Sequence, residues 1–104
     1  MHSHTVFFWL WKTISDHERA QFERGLAALT LDPNILDRRI GKPAATDRSV
    51  IDTSYDYGMV LRFETLAAHG AYQVGQPHQQ FLETCAHMWS RVQVYDIDEL
   101  SLNE

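Results

Sequence analysis

A chain of 104 residues, 44% hydrophobic and 22% charged, has the size and composition of one globular domain, which excludes a disordered or fibrous protein. Its formal net charge of −5, with the basic residues scattered, argues against nucleic acid or an anionic membrane surface as a partner. A single cysteine, Cys85, excludes an intramolecular disulfide and fits a reducing, cytoplasmic setting.

His4 to Trp11 (HTVFFWLW) is rich in β-branched and aromatic residues and predicts a first strand. Its apolar run, Val6 to Trp11, is too short for a membrane span and lacks the leader and cleavage site of a signal peptide. Ser15-Asp16-His17-Glu18 has the form of a capping box, and Phe22, Leu26 and Leu29 follow at helical spacing, predicting a helix from Asp16 to Thr30. Ile35 to Gly41 reads as a second strand, and Lys42 to Thr53 as a long polar connection. Tyr55 to Glu64 reads as a third strand, with Tyr57, Met59, Leu61 and Phe63 on one face.

Leu66 to Tyr72 predicts a short helix capped by Thr65. Gly75-Gln76-Pro77 breaks the chain, and Pro77 suits the first position of a further helix. That helix carries a stripe of His78, Phe81, Leu82, Cys85 and Trp89. Arg91 to Asp98 is the last strand, followed by a polar tail. The order β-α-β-β-α-β, over a core of about residues 4–98 with a tail at 99–104, predicts an α+β, ferredoxin-like fold with a four-stranded antiparallel sheet and its helices on one face.

The first strand is apolar on both faces: Val6, Phe8 and Leu10 point one way, and Phe7, Trp9 and Trp11 the other. Helices cover only one side of such a sheet. A second copy packed sheet against sheet would cover the other, whereas the polar 42–53 connection is a poor lid for two tryptophans. A homodimer is the expectation.

These residues resemble the stress-responsive dimeric α/β-barrel family. The resemblance is carried by His4 opening an aromatic strand, Tyr55-Asp56-Tyr57, Tyr72 followed by Pro77-His78-x-x-Phe81, Trp89, and Val94-Tyr95-Asp96, spread from about His4 to Asp98. It implies two ferredoxin-like subunits whose sheets together form a barrel. One family member, the plant olivetolic acid cyclase, closes a linear polyketide by an aldol-type condensation, using a tyrosine and a histidine at positions that resemble Tyr72 and His78. A first-strand histidine there resembles His4. Where the family commonly has His-Pro-x-His, this chain has Gly75-Gln76-Pro77-His78, so one histidine is missing and the proline has moved.

The chemistry of Tyr72 and His78 also stands on its own. A histidine in the first turn of a helix is disfavoured as a cation, and so remains a neutral base. A protonated phenol donates to a developing enolate oxygen. The bland reading is a wet-ended tyrosine and a histidine bonded to a neighbouring carbonyl.

With His4, Phe8, Tyr57, Phe81 and Trp89 these two residues are the candidate lining of a site for a small, mostly apolar ligand. Catalysis by Tyr72 and His78, as a cofactor-free cyclase or oxygenase, is the alternative. No cofactor and no metal site are expected: there is no His-Glu-x-x-His, and Cys85 and His87 diverge on their helix. His2 and His4 share one face of the first strand, but His2 is close to a fraying end. His17 and His69 read as exposed helix residues, Cys85 as an inert core residue, and Asp96, Asp98 and Glu99 as a solvated acidic end.

Overall fold

The computed structural model describes residues 1–102; Asn103 and Glu104, the last two residues of the expected tail, lie outside it. The elements are β1 (His2–Leu10), α1 (Asp16–Leu29), β2 (Asp37–Gly41), β3 (Tyr57–Phe63), α2 (Leu66–Gln73), α3 (Gln76–Cys85), a 3₁₀ turn (Ala86–Met88) and β4 (Trp89–Asp98). The four strands form one sheet in the order β2-β3-β1-β4, antiparallel throughout. This is the expected ferredoxin-like arrangement.

Local chemistry sets the helix starts. The Ser15 hydroxyl accepts from the Glu18 amide at 3.1 Å while the Glu18 carboxylate accepts from the Ser15 amide at 3.0 Å, so the expected box closes. The Thr65 hydroxyl accepts from the Ala68 amide at the start of α2. Gly75 opens α3 without a side-chain cap, and Pro77 is that helix's second residue rather than its first.

The period-2 alternation of β1 fixes which side chains meet the helices. His2, His4, Val6, Phe8 and Leu10 are all buried, and they face the same layer as Tyr57, Met59, Leu61 and Phe63 of β3. Phe22, Leu26 and Leu29 of α1, Tyr72 of α2, and Phe81 and Cys85 of α3 close over them. Rings dominate the contact: Phe8 meets Phe22 edge-on at 5.2 Å and Phe81 stacks with Trp89 at 5.7 Å between centroids. Full burial of an aromatic such as Phe22 contributes on the order of 1.5–3 kcal/mol over leaving it in water.

Some expectations need correction. The first strand starts at His2 and ends at Leu10, because its pairing with β3 and β4 begins at His2; Trp11 lies past its end and is exposed. Trp89 is not on the helical stripe. The chain leaves α3 after Cys85, and Trp89 opens β4 opposite Leu10 while still facing the aromatic core. The third strand starts late because Asp56 serves as a clasp, its amide donating to the Phe8 carbonyl and its carboxylate accepting from the Leu10 amide.

On the outer face, the end of the 42–56 connection does reach the aromatics. Tyr55 meets Phe7 at 4.8 Å between ring centroids, Ser54 accepts from the Trp9 indole at 3.1 Å, and the Arg91 guanidinium lies 4.3 Å over the Trp9 ring. The cover stops there. Val60, Tyr95 and Ile97 on the same face stay 40%, 56% and 51% exposed.

Candidate functional site

A cavity of about 180 Å³ lies between the sheet and the helices α2 and α3. Its apolar wall comes from Val6 and Phe8 of β1, Met59 of β3, Phe81 and Leu82 of α3, and Trp89, Val92 and Val94 of β4. Its polar end is made by His4, Tyr72 and His78. Of the residues expected at a site, His4, Phe8, Tyr72, His78, Phe81 and Trp89 therefore meet around one space. Tyr57 does not join them: it lies further along β3, packed on Phe22 at 5.3 Å, with its hydroxyl donating to the Glu23 carboxylate.

Tyr72 and His78 meet edge to face, with ring centroids 5.2 Å apart. Tyr72 is buried and lines the cavity, yet its hydroxyl bonds to no described residue; since among the described residues no fully buried side-chain polar atom lacks a partner, that hydroxyl keeps some access to open space. Burial, and then the charge of Asp32, push its pKa far above the ordinary phenol value, so it is a hydrogen-bond donor at any physiological pH. Burial, followed by the nearby His4, holds His78 below the ordinary histidine pKa. The pair thus presents a neutral base beside a protonated phenol. Burial leads the effect on His78; the helix end is not its main cause.

Beyond Tyr72 the polar end continues as a cluster. Asp96 is the cross-strand partner of His4, and its Oδ1 lies 2.6 Å from His4 Nδ1 and 3.3 Å from His2 Nε2. His69 Nε2 comes within 3.1 Å of His4 Nδ1. The His2 and His69 rings stack at 4.5 Å, and Phe63 lies 5.1 Å from His69 beneath them. Burial holds the His69 pKa low, with His4 next in effect, while the histidines hold the Asp96 carboxyl below its usual value against its own burial. The nitrogen and oxygen atoms of these four residues all lie within 4.8 Å of one another, a set of donors able to hold a metal ion.

The model of the stress-responsive A/B barrel domain matches residues 3–99. The chain belongs to that family. Among solved structures, a protein of Arabidopsis thaliana superposes with a TM-score of 0.80 at 18% identity, covering 100% of both chains. A dimeric ferredoxin-like protein of unknown function from Thermobifida fusca gives 0.75 at 20% identity, over 92% of this chain and 88% of that one. The hydroxynitrile lyase of Passiflora edulis gives 0.75 at 18% identity, over 97% and 96%. At these identities the likeness is one of fold. No curated protein matches the chain in sequence.

Against this barrel-family frame, the residues that sequence reasoning missed are clear. His69 was expected to be exposed, but it is buried at 5% because it lies three residues before Tyr72, on the same side of α2. That spacing was a usable signal: if Tyr72 faces inward, so does His69. His2 is not frayed, since it pairs with Phe63 and Asp98. The acidic end is not simply solvated either. Asp96 serves the histidines, and Glu99 accepts from Arg62 through two bonds of 2.7 and 2.9 Å and from Ser3 at 2.6 Å. Cys85 is buried between helices as expected. Among the described residues no helix is long and apolar enough to cross a membrane.

Proposed function

We propose that this family member works as a homodimer whose subunits each bind a small, mostly apolar molecule in the cavity between sheet and helices. The carrying observation is Tyr72, a buried residue whose hydroxyl has no protein partner among the described residues, lining a cavity that also holds His78. A donor left free of protein partners at the rim of an apolar pocket is available to a ligand carbonyl or hydroxyl. At about 180 Å³ the space suits a single ring or a short chain rather than a drug-sized ligand. The dimer is supported by the outer sheet face, where Val60, Tyr95 and Ile97 stay exposed beside Phe7 and Trp9. The Thermobifida fusca structure of the same fold is described as dimeric. The buried lone thiol suits a cytoplasmic setting.

The alternative is a cofactor-free enzyme of the aldol-cyclase type, in which His78 takes a proton from a carbon acid and Tyr72 donates to the enolate oxygen. It is favoured by one specific feature: His78 and Tyr72 meet edge to face at 5.2 Å between ring centroids, a base beside a protonated phenol. An oxygenase has only the fold in its favour.

Native mass spectrometry followed by calorimetric titration with a short alkyl β-diketone tests both readings. The expected result is a dimer that binds the diketone, with Tyr72→Phe weakening it by about threefold to tenfold, the loss of one hydrogen bond. Cyclised product formed from a linear β-polyketone by the wild type and by neither Tyr72→Phe nor His78→Ala would favour the enzyme. A monomer with no affinity for the probe would sink the proposal.

A further inference from the structure

We propose that His2, His4, His69 and Asp96 form a site for one divalent transition-metal ion of the zinc or cobalt class. The inference goes beyond the ligand cavity and does not depend on it. His2 and His4, two apart on β1, project to the same buried face; α2 brings His69 over them, and the β1–β4 register sets Asp96 opposite His4. Three imidazoles and a carboxylate are a zinc-type donor set, whereas magnesium and calcium prefer oxygen alone.

The distances fit. Four ligands at about 2.0–2.2 Å from a tetrahedral ion lie roughly 3.3 Å from one another. Here the donor pairs His4–His69, His2–Asp96 and His69–Asp96 are 3.1, 3.3 and 3.9 Å apart, all the ligand atoms lie within 4.8 Å of one another, and His4–Asp96, at 2.6 Å, has to open as the wider pairs close.

Hydrogen bonding alone serves the cluster poorly. His4 Nδ1 carries at most one proton, and Asp96 Oδ1 at 2.6 Å takes it. His69 Nε2, 3.1 Å from the same Nδ1, then faces an atom with neither a second proton to give nor a lone pair to accept one. A cation would take a lone pair from every member at once. The Phe63 ring beneath the imidazoles gives the site an apolar floor, which strengthens such bonds. His4 also lines the ligand cavity, so an ion here would sit behind the cavity's polar end, beside Tyr72.

The test uses the full, untagged chain after treatment with a chelator. Zinc chloride is titrated by calorimetry and cobalt(II) by visible absorption. The expected result is one ion per chain, the ligand-field bands of four-coordinate cobalt, a thermal midpoint raised by zinc, and no response to magnesium. Asp96→Asn and His69→Ala should each weaken zinc binding at least about tenfold. His17→Ala, on the exposed face of α1, should leave it unchanged. If His69→Ala does not fold, Asp96→Asn decides the matter, because Asp96 lies half-exposed on an edge strand and its variant keeps the core intact. No uptake by the wild type, or unchanged affinity in the Asp96→Asn chain, would overturn the site.

Discussion

Along one face of β1 the two ends of the helix-covered layer are built from different materials. From Val6 to Leu10 the strand meets Phe22, Tyr57, Phe81 and Trp89, an interlocking aromatic layer whose Phe8, Phe81 and Trp89 also wall the cavity. From His2 to His4 it meets His69, Tyr72 and Asp96, and a cavity opens beside them. The same strand, the same alternation and the same depth of burial thus give an apolar, aromatic end and a polar, chemically capable end. The difference teaches that burial alone does not mark the site. Polar groups gathered beside a cavity do.

That comparison makes graded predictions. The largest effect belongs to the aromatic end: Phe22→Ala, at a position with 0% exposure, should destabilise the fold by about 3–5 kcal/mol in urea denaturation. A loss well under that would mean the aromatic layer collapses into the void, and that the end is less tightly built than its contacts imply.

Next comes the seam between α1 and α3. A Cβ on Gly25 would lie 2.5 Å from Cys85 Sγ, so Gly25→Ala should cost about 1–2 kcal/mol despite the better helix propensity of alanine. Adding Cys85→Ala should recover most of that loss, since it removes the clashing atom. An additive double mutant would show that the two positions do not meet.

At the polar end the expected effect is smaller. His69→Leu in metal-free protein should change stability by less than about 1 kcal/mol in either direction, because side chains held for function are commonly neutral or costly to the fold. A loss as large as that of Phe22→Ala would show the histidine cluster to be structural and erase the contrast between the ends.

The smallest effect is electrostatic. Arg62 and Ser3 hold the Glu99 carboxyl down at about 2 from its ordinary 4.5. A depressed folded-state pKa means that the ion pair stabilises the fold above pH 4.5 and that its contribution fades as pH falls toward 2. Glu99→Gln should therefore be slightly less stable than wild type at pH 7, with the two melting curves converging by about pH 2. A constant gap across that range would show that Glu99 acts by packing, not charge.

Much of this was legible in the residues. The Ser15–Glu18 box, the stripe Phe22, Leu26, Leu29 and the alternation of β1 and β3 each report a local rule that the fold obeys. The position of Trp89 was misread because its spacing from Cys85 suits a helix, and only the 3₁₀ turn at Ala86–Met88 rotates it onto a strand. Tyr57 faces the same layer but lies away from the cavity. Alternation gave its face correctly but said nothing about which end of that face holds the cavity.

By itself the chain order of apolar periods, caps and breaks determined the element sequence, the ferredoxin-like class and the inward face of each strand. The resemblance to the barrel family, with the chemistry of a phenol and a helix-start histidine, pointed to Tyr72, His78 and His4. What only the tertiary structure decided was which groups converge. His4 and His69 are 65 positions apart and His4 and Asp96 are 92 apart, and their meeting depends on strand register and on how α2 lies across the sheet. Local sequence carries side-chain direction through the 2- and 3.6-residue periods. Distance between remote segments is set by packing the whole layer, which no single segment encodes.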